Sequence, residues 1–454
     1  MSPSPTENAP TNLEELKELL KNDNKVKVAG TYPYLCVDVD GVLRGKIMSK
    51  SKLLSAVKSE GFNFCSVIFG WDIHDHGYNK ELLVANWDNG YRDLFAVIDL
   101  STFRRLKWEK DIPFFLCHGQ GKGYGIQMHE WCGIRNKNFR NLNPLTTGMH
   151  GYSILRPTLN MDYFHDLYDM AVDFGIEVEG HHTETGPGVY ETALGYTDAS
   201  RMADNACLFK LVAKSIGMKH GVSPTFMAKP WGDLPGCSGH IHVSLQDKNG
   251  KNIFAVSDKE AANGGRKGAA FKDLKYLSQE GEWFLAGLLE GMPDVVPMFC
   301  PTINSYKRLQ GGQAMWAPDT ATYGYDSRAA SVRLLTAPGV PGYATRFEVR
   351  VPGADMNPYY AMAAIFALGL RGIEQKRPLP YGPIGSPGVS RDTVKHLPTS
   401  LDSATQAFMK KDSLAREVFG DFFVDHYGGT REHEVELHRK AVTDWEVARY
   451  FELV

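Results

Sequence analysis

Two short stretches alternate apolar and polar residues strictly enough that each must be a strand with two chemically different faces. In "GHIHVSL", His240, His242 and Ser244 point one way while Ile241, Val243 and Leu245 point the other. In "TRFEVRV", Arg346, Glu348 and Arg350 share a face opposite Phe347, Val349 and Val351. Successive side chains of a strand leave on opposite sides, so an apolar row packs on a core and the polar row is left for water or chemistry. Alternating histidines can ligate a metal, and a strand lining any polar cleft has the same pattern. The arginine and glutamate row is equally compatible with a surface ladder of ion pairs and with a carboxylate ligand beside a cation for an anionic substrate.

Around these strands, helical and strand segments run in separate blocks instead of alternating as βαβ units, which predicts an α+β fold. Helical spacing covers "NMDYFHDLYDMAVDFG", with Asn160 at its start and Gly175 at its end, "ASRMADNACLFKLVAKSIGMKHG", "LKYLSQEGEWFLAGLLEGM" and "NPYYAMAAIFALGLRGIEQK". Residues 1–29 read as a disordered lead of about twelve residues and a short helix, "LEELKELLKN". Residues 30–116 read as a small strand-rich unit with a hairpin signal at Asp40-Gly41. Residues 117–150, rich in Gly and Asn, read as a linker carrying one short strand, "YGIQMHEW", at the start of a unit extending to 454.

A formal net charge of −3 argues against a nucleic-acid scaffold. Seven widely spaced cysteines without a CxxC pair give no zinc finger or disulfide framework, and a reducing, cytoplasmic setting is the simplest expectation. The polar start "MSPSPTENAPTN" has no signal-peptide core, and "YYAMAAIFALGL" is too short to span a bilayer, so no membrane is expected.

The densest chemical signal is "HHTETGPGVYE", residues 181–191. Here the Gly-Pro-Gly turn reverses the chain and brings Glu191 back towards Glu184. Two carboxylates so placed repel unless a cation or proton lies between them. A divalent metal with oxygen ligands is one reading, and a solvated hairpin the other. Lys307, Arg308, Arg328 and Arg333 form a basic cluster suited to phosphates or carboxylates, or are scattered surface charges. Acidic ligands with a basic cluster describe a metal–nucleotide site for phosphoryl transfer, without a P-loop or a GxGxxG turn.

In this order, "HTETGPGVYE", "PTFMAKP", "GCSGHIHVSL", "NSYKRL", "SRAASVR", "RFEVR" and "NPYYAMAA" resemble the glutamine synthetase family from about residue 30 to the C-terminus. The resemblance implies an N-terminal β-grasp domain, a catalytic domain built round a curved antiparallel sheet, and homo-oligomeric rings, hexamers or dodecamers. It implies ATP as a substrate, two Mg²⁺ or Mn²⁺ ions, and a γ-glutamyl amide made from glutamate and an amine through γ-glutamyl phosphate. Carried over by position, Glu130, Glu184 and Glu191 match ligands of the first ion, and His240 and Glu348 those of the second. No role at the ion is carried over to His181 or His182. Arg308 matches the arginine at the glutamate carboxylate, Arg328 and Arg333 those facing the transferred phosphate, and Arg350 a further substrate contact. His242, Ser244 and Arg333 match the nucleotide-binding positions.

The sequence also departs from the family pattern. A helix that should precede the first metal strand has no counterpart between "FFLC" and "IQMHEW". That strand normally carries Glu-x-Glu, yet only Glu130 is present, with Gln127 or Met128 at the other position. Trp316 stands where ammonia-using members place a glutamate, and the ammonium-polarising aspartate aligns with Asn63, although Asp72 is close. Val189 replaces a glutamine and Pro235 an asparagine. These changes favour an amine larger than ammonia, or, as the alternative, a catalytically inactive relative with a structural or regulatory role.

Overall fold

The structure is a computed structural model that describes residues 6, 8–30, 38–59, 61–65, 70–78, 93–117, 124–136, 142–232, 234–310 and 317–452, with the backbone alone for residues 30, 63–65, 93–95 and 124–136. Its N-terminal unit holds β1 (Lys25–Gly30), β2 (Gly45–Ser49), β3 (Phe62–Cys65), β4 (Asp93–Ala96), β5 (Ile98–Leu106) and β6 (Ile112–Cys117). Four of them form a sheet in the order β2-β1-β6-β5, with β1 and β6 parallel. Helix Lys50–Lys58 buries Leu53 and Ala56 against this sheet, the β-grasp arrangement. Residues 31–37, the first arm of the expected hairpin, lie outside the described residues, but the turn is present: Gly41 has a φ of +80° and Asp38 N–H donates to Val42 O at 3.0 Å.

Two expectations for the lead are corrected. β1 begins at Lys25, inside the segment read as lead and helix, because its alternating Val26 and Val28 bury into the small core. The Thr6 hydroxyl donates to Ser101 O and Phe103 O, at 3.0 and 2.6 Å, so the lead is docked on β5 there instead of being disordered.

The second unit is built on β7 (Tyr124–Asn136), β8 (Asn143–Pro144), β9 (Val178–Thr183), β10 (Val189–Leu194), β11 (Thr197–Asp198), β12 (Ser223–Thr225), β13 (Ile241–Ser244), β14 (Tyr323–Tyr325), β15 (Val332–Leu335) and β16 (Arg346–Val349). They join in one sheet, ordered β14-β15-β16-β13-β7-β10-β9 along its main path, with β8, β11 and β12 also paired to β7. The stretch read as a linker therefore contains the longest described strand, 13 residues, at the centre of the sheet. Its hydrogen bonds come from five partner strands, so a weak local pattern is overridden by tertiary pairing. Residues 118–123, between Cys117 of β6 and Tyr124 of β7, where the family helix is expected to be missing, lie outside the described residues.

Alternation in β13 and β16 holds. Ile241, Val243, Phe347 and Val349 are all buried, and Phe347 packs on Phe254 and Phe284 with ring centroids 4.7 and 5.8 Å apart. Phe284 belongs to helix Gln279–Gly291, which crosses helix Pro358–Glu374 at glycine contacts. A Cβ on Gly287 would lie 2.6 Å from the Gly372 Cα, so only glycine permits that approach. Asn357 caps the second helix at Tyr359 N–H, and its Nδ2 donates to Asp38 O at 3.1 Å, tying the two units together. Among the described residues no helix is long and apolar enough to cross a membrane.

Candidate active site

The hairpin β9–β10 carries the first cluster. Gly186 and Gly188 take φ values of +140° and +67°, which a residue with a Cβ adopts only under strain, and this turn returns Glu191 beside His182 in register. Val189 fills the space beside Gly186, where a Cβ would stand 2.8 Å from its Cγ2. One ligand atom each from His182, Glu184 and Glu191 lie within 4.8 Å of one another. Glu191 is buried, and Glu130 occupies the β7 position directly opposite it in register.

His182 is the residue that the sequence reading left out. Its signal was present, since it stands two before Glu184 on one strand face. Its Nδ1 lies 3.1 Å from Thr183 O and its Nε2 lies 3.7 Å from Glu191 Oε1. A proton on Nδ1 donated to that carbonyl leaves the Nε2 lone pair for a cation, which is how an outer partner orients a metal histidine. The neighbouring Glu191 carboxylate raises the His182 pKa above its ordinary value. His181 differs: its Nδ1 meets Thr192 Oγ1 at 2.8 Å, and burial pushes its pKa down to about 4. It is a packed core histidine.

Arg333, Glu348 and His242 form one row across β15, β16 and β13, paired residue to residue. Both Glu348 oxygens are taken by guanidinium groups. Arg333 Nη1 donates to Oε2 at 2.8 Å, and Arg350 Nη1 makes a short bond to Oε1. His240 Nδ1 lies 3.3 Å from the same Oε1. Burial alone would raise the Glu348 carboxyl, but His240, His242, Arg350 and the Arg333 bond outweigh it and hold the group well below the usual range. The ion-pair ladder is therefore real, and it is buried, with Glu348 only 1% exposed. Arg333 also donates from Nε and Nη2 to Asp326 Oδ1, at 2.9 and 2.6 Å.

Arg346 Nε donates to His242 Nδ1 at 3.0 Å, which fixes the proton of the neutral ring on Nε2. Burial keeps that ring neutral, with a pKa pushed down to about 4, and Nε2 has no partner among the described residues. His242, Ser244 and Arg346 line a cavity of about 340 Å³ with Tyr196, Asn252 and Tyr343. The Asn252 amide is spent on the carbonyls of Tyr343 and Thr345, at 3.1 and 2.7 Å, and so shapes the far wall. Of the three residues matched to the nucleotide, the structure brings His242 and Ser244 to this cavity, while Arg333 is turned to Asp326 and Glu348.

Arg308 is buried, and its Nη1 and Nη2 donate to Val351 O and Arg350 O, at 2.7 and 2.8 Å. Its guanidinium thus braces the end of β16. Arg328 is exposed, and its carbonyl accepts from Arg350 Nε at 3.2 Å. The Tyr152 hydroxyl joins the two halves electrostatically. Burial raises its pKa, Glu184 and Glu191 raise it further, and Arg328 and Arg333 lower it. Asp72 Oδ1 accepts from His74 and His76 N–H at 2.8 and 3.0 Å, and its Oδ2 lies 3.3 Å from His433 Nε2 on helix Leu414–Lys440, so the carboxylate is engaged by its own loop and by that helix. The Asn63 side chain and Trp316 lie outside the described residues.

Carboxylates and a histidine on one hairpin, arginines across the sheet, and a cavity at the histidine strand constitute this site. Residues 110–450 match the family model described as glutamine synthetase, catalytic domain. The chain belongs to the glutamine synthetase family. It is 39% identical to type-1 glutamine synthetase 2 of Dictyostelium discoideum, covering 94% of this chain and 84% of that protein. It is 33% identical to glutamate–isopropylamine ligase of Pseudomonas sp, over 92% and 94% of the two chains. It is 31% identical to gamma-glutamylethanolamide synthetase of Streptomyces coelicolor, over 98% and 96%. A solved structure titled apo GmaS without ligand shares the fold, with a TM-score of 0.77 at 22% identity over 98% of this chain and all of that one. These named glutamine synthetase relatives are ligases, the class of the family.

Proposed function

We propose that this chain is a glutamine synthetase-type ligase that uses ATP and a divalent cation to form a γ-glutamyl amide from glutamate and an amine larger than ammonia. The observation that carries this reading is the His182–Glu184–Glu191 cluster, with its ligating atoms within 4.8 Å of one another. Oxygen and imidazole ligands suit Mg²⁺ or Mn²⁺, and Glu130, placed opposite Glu191, would add a third carboxylate. A bound ion would neutralise the negative charge that phosphate and carboxylate bring together.

The protein's own groups do the rest. His242 and Ser244 line the cavity assigned to the nucleotide. Arg328, exposed and close enough to lower the Tyr152 pKa, would meet the transferred phosphoryl group, whose charge a positioned guanidinium stabilises. The product of that transfer is γ-glutamyl phosphate, and attack by the amine releases phosphate. Trp316, in place of an acidic residue, cannot deprotonate ammonium, and an aromatic side chain at that position in the sequence suits a substituted amine better than ammonium. Names of relatives that act on isopropylamine or ethanolamine point the same way.

We assign the N-terminal unit from β1 to β6, Lys25 to Cys117, to the β-grasp domain and the unit built on β7 and the strands after it to the catalytic domain, in a homo-oligomeric ring. The test is ADP release and amide formation with glutamate, ATP, Mg²⁺ or Mn²⁺, and a panel of ammonia, short alkylamines, ethanolamine and polyamines. A higher kcat/KM for a substituted amine than for ammonia is expected. Preference for ammonia would overturn the amine assignment. Absence of any amine-dependent ADP release would favour the second reading, an inactive relative, to which the missing carboxylate at Gln127 or Met128 points.

A further inference from the structure

The two ion positions implied by the family are not equivalent here. Around His182, Glu184 and Glu191, neither carboxylate is paired with an arginine or lysine among the described residues. Among the described residues, Glu184 Oε2 accepts the Thr185 N–H, at 2.8 Å, and Glu191 meets His182. At the other position two ligands remain, His240 and Glu348, because the strand that should supply a second carboxylate has Gln127 and Met128. Met128 stands opposite Ala193 and Gln127 opposite Ile241, so among the described residues the pairing of β7 with β10 and β13 brings no other carboxylate to those two positions.

We propose that this protein holds one divalent cation per active site, at His182–Glu184–Glu191, and that the guanidinium groups of Arg333 and Arg350 on Glu348 take the place of the second. This rests on the ligase reading for the location of the site, but not on turnover. Glu348 is a single negative charge whose two oxygens already face two fixed positive charges. A dication entering beside His240 would have to displace Arg350 from Oε1 and then lie next to the displaced guanidinium. With one anionic ligand it would be repelled more than it is held, since hard cations are bound by several oxygen ligands of opposing charge. The burial of the pair works in the same direction: Arg350 and Glu348 side chains are 3% and 1% exposed, so a displaced Arg350 has no ready path to water. His240 Nε2 is buried and has no partner among the described residues, yet one nitrogen without further carboxylates does not make a dication site.

The chemistry changes accordingly. Arginine supplies positive charge and directed N–H donors that stay in place at any metal concentration. Glu348 then acts as a positioning residue that aims two guanidinium groups, and it is not a ligand.

The experiment is Mn²⁺ titration of the full-length, nucleotide-free protein, with MnCl₂ as probe and free Mn²⁺ read by electron paramagnetic resonance. One ion per chain is expected. Glu191→Gln should lose that ion, while Glu348→Gln should keep it. Because Glu348→Gln strands the buried Arg350 and the half-buried Arg333 and can fail to fold, His240→Asn is measured beside it and should also keep one ion. Two ions per chain, with one lost in His240→Asn, would overturn the inference while leaving the ligase reading intact. No bound ion in the parent protein would overturn both. Amide formation is assayed separately, so an inactive protein that binds one ion would sink the function and leave the stoichiometry standing.

Discussion

The Tyr152 ring lies on the His182 imidazole, with centroids 4.3 Å apart and planes inclined by 20°. Tyr152 holds this position from a left-handed backbone, φ 56°, with its N–H donating to Thr183 O at 2.8 Å. The ring is two-thirds exposed, so the protein keeps a large apolar side chain in water in order to cover one face of a ligand. That cover fixes the plane in which Nε2 meets Glu191. Tyr152→Ala should weaken Mn²⁺ binding by about tenfold, the lower end of the effect of losing a group that orients a metal ligand. Tyr152→Phe retains the ring and should bind as the parent does. Calorimetry on both variants decides it, since an equal loss in both would move the role to the hydroxyl.

A second expectation concerns Lys210, on helix Ala199–Lys219. Its Nζ donates to Met356 O at 3.0 Å and stands 5.4 Å from the Phe226 ring centroid. Burial lowers its pKa to about 8, against the opposing influence of Cys207 and Asp355 and together with that of Lys214. The folded state thus releases this proton more easily than the unfolded chain does. Stability at this residue is lowest below pH 8, where the buried ammonium stays charged, and recovers as pH rises from about 8 towards the ordinary lysine value of 10.5. Competitive acetylation with peptide mapping should give a reactivity midpoint at Lys210 near pH 8, well below that of surface lysines. A midpoint near the surface value would show that water reaches the amine.

How far the site could be read from residues alone follows from where its information is stored. The facing of His240, His242, Glu348 and Arg350 is local, because a period of two needs only four or five residues, and it came out directly. The pairing of Glu184 with Glu191 is equally local, set by one Gly-Pro-Gly turn. β7 is the opposite case. "YGIQMHEWCGIRN" has no clean alternation, since it is covered on both edges and its residues answer to five partner strands. His182 is legible from its spacing to Glu184, but the resemblance gives it no task. What the sequence could not separate was a ligand from an ion pair at Glu348, since both use the same face of the same strand. Only the arginine positions on β15 and beyond β16 distinguish them.

Arg308 supplies the last expectation. The resemblance places it at the substrate carboxylate, whereas here its two terminal nitrogens donate to Arg350 O and Val351 O. The contact is tight: a Cβ on Gly236 would lie 3.3 Å from Arg308 Cδ. A charged donor on a buried carbonyl contributes about 1.5–3 kcal/mol, and a lysine, with one compact head, cannot reach both oxygens as the planar fork does. Arg308→Lys should therefore lower stability by about 2 kcal/mol and let the end of β16 loosen. Because Arg350 hangs from that same end, turnover should fall with stability, through kcat. A residue that only grips glutamate would instead raise KM and leave the unfolding midpoint unchanged. Urea unfolding and steady-state kinetics on one preparation separate the two, and a raised KM at unaltered stability would return Arg308 to the substrate.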